Sequence, residues 1–343
     1  MPDPDVFVRA AEVREATQAD DAAITAFVAA HPDATPFHLP AWSRAVERGC
    51  GQRVRTLVAE CDGAIVGVLP LTEVRSPLFG SALVSAGFAV DGGVLGKGEF
   101  APAAIALAER LRIGSIELRG GGLPEGWTRD ETTYLGFARD LAAADEGELL
   151  AIPRKQRAEV RKALANPLEV VTGGVELADE HHRVYAESVR NLGTPVFPRG
   201  LFRAVLAGMD ADILTVRHEG RAVASVLSLY HRGVVYPYWG GGTEAARGLR
   251  ANDRMYFALM AHARARGCMR FDFGRSKAGT GPAAFKKNWG FEGRPLAYAK
   301  WAKGEARDVN PLNPKYAAVV RTWQKLPLPV ANLVGPWISR GLG

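Results

Sequence analysis

Two β-hairpin patterns, set about half the chain apart, constrain this sequence more than any other feature. Leu57-Val58-Ala59-Glu60-Cys61-Asp62-Gly63-Ala64-Ile65-Val66-Gly67-Val68-Leu69 places apolar residues on either side of an Asp-Gly pair. That dipeptide is favoured where both central turn residues need positive φ. Leu214 to Leu227 repeats the plan, with Glu219-Gly220 at the turn and Val223-Ala224 where the first copy has Val66-Gly67. After each hairpin the pattern predicts a strand, a glycine run (Gly92-Gly93, then Gly240-Gly241-Gly242) and a helix, over about 101–112 and 252–266. A strand ending in glycine closes each copy, Ile116 to Gly120 and Phe271 to Gly274. Two further helical patterns, Asp179–Asn191 and Pro198–Met209, precede the second hairpin. A repeat at this spacing means tandem units, each mixing strands with helices.

The 343 residues suffice for two domains, each with its own core, and 47% hydrophobic with 23% charged residues is a soluble, globular balance. Three cysteines with no CxxC pair argue against a disulfide framework or a zinc site, and the seven histidines show no ligand spacing, so no metal is expected. A formal charge of +6 favours anionic partners without choosing among them. With no basic-then-apolar leader and no run of ~18 apolar residues, the expectation is a cytoplasmic protein.

Chemistry concentrates at Phe271 to Phe291. A strand (Phe271, Asp272, Phe273) is expected to enter a turn at Gly274-Arg275-Ser276. A polar loop with Lys277, Gly279, Thr280 and Gly281 follows, then a helix from Pro282 carrying Phe285-Lys286-Lys287-Asn288-Trp289-Gly290. Lysines and an arginine beside glycines suit an anionic or carbonyl-bearing ligand; a surface turn with solvated lysines is the alternative. Asp272, opposite Phe271 and Phe273, could accept a proton, orient an amine or pair with Arg275. Tyr236 and Tyr238 share one face of the strand before the triple glycine and could meet a substrate or pack on the sheet. Asn252 is a candidate cap for the next helix, and Arg247 and Arg250 could meet a phosphate or be solvated. Between the copies, Glu146 to Ala165 reads as one basic helix, on which Arg157 and Arg161 either contact phosphate or face water.

Three stretches together resemble the FemAB-like acyltransferases of the GNAT superfold. They are the Gly-Arg-Ser, Gly-Thr-Gly and Phe-Lys-Lys-x-Trp-Gly run, Arg190 to Pro198, and the tail with Asn313-Pro314-Lys315-Tyr316 and Leu326 to Asn332. The similarity is greatest to the branch associated with exosortase/PEP-CTERM exopolysaccharide loci. It implies an α/β (α+β) fold of tandem GNAT-like domains, each a mixed, mostly antiparallel sheet flanked by helices. The expected division is 1–148, a basic linker helix 149–166, a site-bearing domain 167–304, and a proline-rich tail with helix, 305–343. By the same resemblance Lys286, with Lys287 as the alternative, stabilises charge on the donor ester. Arg275 and Ser276 are expected ligand contacts because the turn would expose both, and Asp272 is the second catalytic candidate.

The implied reaction moves an acetyl, aminoacyl or related acyl group to an amine or hydroxyl of a saccharide precursor, small or lipid-linked, in exopolysaccharide or envelope synthesis. No tightly bound cofactor is implied; the co-substrate is acyl-CoA or aminoacyl-tRNA. Ala245-Ala246-Arg247-Gly248-Leu249-Arg250-Ala251 departs from the Gln/Arg-x-x-Gly-x-Gly/Ala that holds the CoA pyrophosphate, which puts acetyl-CoA in doubt and leaves a silent binding module as the rival reading. In the tail, Lys315 to Leu326 is an expected helix. Leu326 to Ile338, broken by Pro327, Pro329 and Pro336, either docks on the domain or touches a membrane surface through Trp337, with Lys325 and Arg340 beside it.

Overall fold

The computed structural model describes residues 11–304 and 317–343; the extended linker expected over Asn310 to Pro314, with Lys315 and Tyr316, lies outside them. The first half runs β1 (Glu12–Glu15), α1 (Asp21–Ala30), α2 (Pro40–Cys50), β2 (Val54–Cys61), β3 (Ala64–Ser76), β4 (Gly80–Ser85), β5 (Leu95–Gly96), α3 (Phe100–Arg110), β6 (Ser115–Arg119), β7 (Thr128–Asp130) and β8 (Tyr134–Asp140). Helices α4 (Asp145–Ala151) and α5 (Arg154–Ala165) lead to β9 (Glu169–Gly173), α6 (Ala178–Asn191) and α7 (Arg199–Gly208). The second repeat follows as β10 (Ala211–His218), β11 (Arg221–His231), β12 (Val234–Gly242), α8 (Ala246–Leu249), α9 (Ala251–Ala265) and β13 (Arg270–Lys277). The chain ends with α10 (Gly281–Asn288), β14 (Gly293–Pro295), β15 (Tyr298–Ala302), α11 (Ala317–Lys325) and α12 (Leu328–Arg340).

The duplicated hairpins are real and share one turn. Asp62 and Gly63 lie at φ 50° and 79°, Glu219 and Gly220 at 50° and 73°. Both central residues thus take the positive φ that matches strand twist. The two halves build two mostly antiparallel sheets flanked by helices. The first has the order β1-β2-β3-β4-β6-β15-β7, with β5 against β3, and the second β14-β8-β13-β12-β11-β10-β9. One parallel pair of strands sits inside each sheet, joined by a crossover helix: β4 and β6 through α3, β12 and β13 through α9. Each parallel pair holds for two residue pairs and then splays apart, after Val84–Glu117 in one sheet and Val235–Phe271 in the other.

Sheet membership does not follow the division expected at 148 and 304. Strand β8 from the first half lies between β13 and β14, and β15 from the second half lies between β6 and β7. Local pattern reports that a strand exists, whereas its partner is chosen by long-range packing. The linker also differs from the single helix expected. It breaks into α4 and α5 at Ile152-Pro153, because Pro153 lacks an N–H to donate and holds Ile152 extended at ψ 131°.

An aromatic core joins the halves, with Phe37 and Trp42 from one side and Phe202, Tyr236 and Trp239 from the other. Here α2 crosses its counterpart α7 so closely that any side chain at Gly49 would overlap the Leu201 backbone. The tail contradicts the proline break expected after Leu326, since Leu328–Arg340 is one helix. Pro327 and Pro329 fall at the helix start, where no intrahelical N–H bond is lost, and Pro336 alone sits inside. Its inner face packs Ala331, Gly335 and Ser339 inward, with Gly335 closely apposed to Val196. At its end, Gln52 donates to the Arg340 carbonyl at 2.5 Å and Arg119 to the Gly343 carbonyl at 3.2 Å. No helix among the described residues is long and apolar enough to cross a membrane.

Candidate active site

The expected turn at Gly274-Arg275-Ser276 is a β-bulge. Gly274 sits at φ 67°, and the strand continues to Lys277. Asp272 pairs with Ala138 of β8 and Arg275 with Gly136, so three residues on β13 span what two span on β8. Ala138 and Gly136 point the same way, which brings Asp272 and Arg275 to one face. Plain alternation would have separated them. Ser276 falls on the other face, buried, and its Oγ has no partner among the described residues.

Lys286 on α10 is the fastener of this bulge. Its Nζ donates to the carbonyl oxygens of Arg275 (2.9 Å) and Gly274 (3.3 Å), and lies 5.3 and 5.4 Å from the ring centres of Phe273 and Phe137. Burial pushes its amine down to about 7, against the opposing pull of Asp272. Lys287, the alternative, is exposed. The two lysines that are adjacent in sequence therefore have different surroundings.

Arg275 reaches inward. It donates to the Tyr298 hydroxyl at 2.8 Å and stacks over Tyr134 at 4.6 Å, rather than pairing with Asp272. Desolvation raises the Asp272 carboxyl above the usual range, and the nearby Asp91 carboxylate raises it further, although the Gly274 N–H donates to it at 2.8 Å. Asp91 is itself raised by burial, against N–H bonds from Gly92 and Gly93. The Tyr236 phenol feels both carboxylates, which add to burial in raising it.

Asp91 enters this group through an unusual loop. Ala86 and Phe88 both take positive φ, 43° and 63°, which non-glycine residues rarely do. Three consecutive carbonyls hold the loop there. Phe88 accepts from the Tyr238 hydroxyl (2.6 Å), Ala89 from Arg119 (2.8 Å) and Val90 from the Tyr298 hydroxyl (2.7 Å). Arg119 also holds Glu117 at 2.8 Å; burial opposes ionisation there, but Arg119 and Lys300 overcome it and bring Glu117 down to about 2. The splayed ends of the two sheets thus face one polar interior, with a carboxylate from each half.

Lys286, Asp272, Arg275, Tyr236 and Tyr238 are gathered at this place. Tyr238 spends its hydroxyl on the first half, and Tyr236 packs near Phe37 with ring centres 6.2 Å apart. The remaining candidates lie elsewhere. Arg157 donates to the carbonyls of Leu150 and Ile152, closing the exposed end of α4; Arg250 is ion-paired to Glu159; Arg161 and Arg247 are exposed. Sequence reasoning missed Asp91, Arg119, Tyr134 and Tyr298. The available signal was Asp91 immediately before the paired glycines.

The turn over residues 243–250, where the resemblance would put a pyrophosphate cradle, has its N–H groups engaged within the fold. The N–H groups of Thr243, Ala246, Arg247 and Arg250 bond backbone carbonyls, and that of Glu244 bonds the Glu187 carboxylate at 2.9 Å. Asn252, the expected cap, lies inside α9, whose first turn is entered through Arg250 at φ 55°. The triple glycine serves packing: side chains at Gly241 and Gly242 would strike Ser188 and Asn252.

Residues 154–287 match the model of an acetyltransferase (GNAT) domain. No curated protein matches the sequence. Among solved structures, FemX is 14% identical, with 85% of this chain and 97% of that one aligned at a TM-score of 0.61. A tandem GNAT protein from the clavulanic acid biosynthesis pathway is 14% identical over 86% and 99%, at 0.54. The C-terminal domain of a putative lysylphosphatidylglycerol synthetase from Agrobacterium fabrum is 16% identical over 82% and 91%, at 0.55. Residues 154–287 thus match a GNAT acetyltransferase domain, and the chain around them shares its fold with FemX and with a tandem GNAT protein.

Proposed function

We propose that this protein is an N-acyltransferase that moves an acyl or aminoacyl group onto an amine of a saccharide or envelope precursor, with its site where the two splayed sheets meet. The observation that carries the reading is the pair Asp91 and Asp272, two carboxylates raised above their usual range beside the splayed strands of an acetyltransferase domain. An acceptor amine arrives as an ammonium ion and must lose a proton before it can attack. Two adjacent, poorly solvated carboxylates attract such a cation, and one of them takes its proton. The nitrogen then attacks the donor's carbonyl carbon, negative charge grows on that oxygen, and the donor's thiol or hydroxyl leaves with a proton. Lys286 in its protonated form is the proposed cation for the oxyanion: two of its three N–H bonds hold the bulge and the third is left to donate. Arg275 and Tyr134 shape the wall.

The closed turn at 243–250 favours a donor held otherwise than by its pyrophosphate, so acyl-CoA and aminoacyl-tRNA both stay as donors. The same closed turn supports the second reading, a glycan-binding module without activity. Incubation with acetyl-CoA or charged tRNA, each with amino sugars and nucleotide-linked amino sugars, followed by mass spectrometry of the acceptor, tests it. Acceptor mass gain that disappears in Asp272→Asn supports the reading. Transfer only to hydroxyls, or none with any donor while the acceptors bind, overturns it.

A further inference from the structure

The last helix has two faces, and the function proposed above uses neither. Ala331, Gly335 and Ser339 point inward. Val330, Leu333, Val334 and Trp337 form a stripe at i, i+3, i+4 and i+7 on the outer side, and they are 43%, 80%, 36% and 56% exposed. These four are among a short set of large apolar side chains this open to water, and Leu78 (58% exposed) lies across a cleft of about 570 Å³ from Trp337. A patch of this kind on a soluble fold marks a contact surface.

Charge says which surface. Arg53, Arg75 and Arg340 line the same cleft, and its acidic residue, Glu73, is buried and paired with Arg55 at 2.9 Å and with Arg75 at 3.6 Å, so three arginines face one carboxylate. Arg75 donates to the Leu111 carbonyl, which holds its guanidinium at the rim. Arg321 and Lys325 on α11, the helix just before α12, are exposed as well. An apolar stripe with an interfacial tryptophan, bordered by arginines, matches the layered chemistry of an anionic bilayer: acyl chains beneath, phosphates at the level of the guanidinium groups. We infer that the outer face of α12, with Leu78 and the arginine-lined cleft, seats this protein in the plane of an anionic phospholipid membrane. The stripe rests on the α12 geometry alone, so the inference stands apart from the identity of the acyl donor.

Flotation of the full chain with vesicles of phosphatidylcholine alone, or containing phosphatidylglycerol, is the test. Wild type should float with the anionic vesicles, weakly or not at all with neutral ones, and less at high salt. Leu333→Glu with Trp337→Glu should lower vesicle affinity on the order of tenfold or more with an unchanged melting temperature. Should that variant unfold, Leu333→Ser serves instead, together with a blue shift of wild-type emission on vesicles that Trp337→Phe lacks. No flotation, or equal flotation with neutral vesicles, overturns the proposal. Self-association that Leu333→Ser abolishes, without flotation, makes the stripe a contact between copies and also overturns it.

Discussion

A lysine whose amine is held near neutrality by burial is the residue on which most of the local chemistry turns. In the unfolded chain Lys286 titrates in the ordinary lysine range, and in the fold at about 7. Below pH 7 both states carry the charge and the full burial cost applies. Between the two values only the unfolded chain binds the proton, so stability should rise with pH across that window. Melting curves from pH 6 to 10 should show that rise in wild type and its loss in Lys286→Met. Once a substrate is known, Lys286→Ala should lower turnover on the order of 100-fold, the scale of one oxyanion contact. A folded variant with wild-type turnover would remove it from the mechanism. The two aspartates make a sharper prediction. Removing the Asp91 charge lowers the Asp272 pKa, so in Asp91→Asn the acidic limb of the rate profile should move to lower pH. An unmoved limb would show that the two carboxylates do not interact.

At the level of elements, two glycines decide geometry for different reasons. Gly274 is needed for its backbone: a Cβ there would meet nothing, but φ is 67°. Gly274→Ala should cost about 1–2 kcal/mol in chemical denaturation, with the loss of activity exceeding what that implies, because the bulge aligns Asp272 with Arg275. Gly49 is needed for space. Gly49→Ala must push α2 away from α7, and should cost about 1–3 kcal/mol although its own helix would favour alanine. If Gly49→Ala is neutral, the helix crossing is looser than described.

For the whole molecule, the exchange of β8 and β15 between the sheets means that neither half owns a complete sheet. Residues 149–343 expressed alone should fail to fold cooperatively, because β13 and β14 lose β8 between them. Restoring residues 132–148 should recover a single transition. The sequence by itself determined the duplication, the hairpin turns at Asp62-Gly63 and Glu219-Gly220, the α3 and α9 crossovers and the richness of the Phe271–Phe291 stretch. Each of these is written in turn chemistry or in a period of two or 3.6 residues, and so is local. It also singled out Lys286, Asp272 and Arg275, because charged residues beside glycines are visible without coordinates. Only the tertiary structure decided that Lys286 is buried while Lys287 is not, that one bulge brings Asp272 and Arg275 to the same face, and that Tyr298 and Asp91 complete the interior from distant parts of the chain. Those outcomes depend on contacts between residues up to 208 positions apart, as between Tyr298 and Val90, and on which face a pleat presents after a bulge. Neither leaves a periodic trace in the sequence.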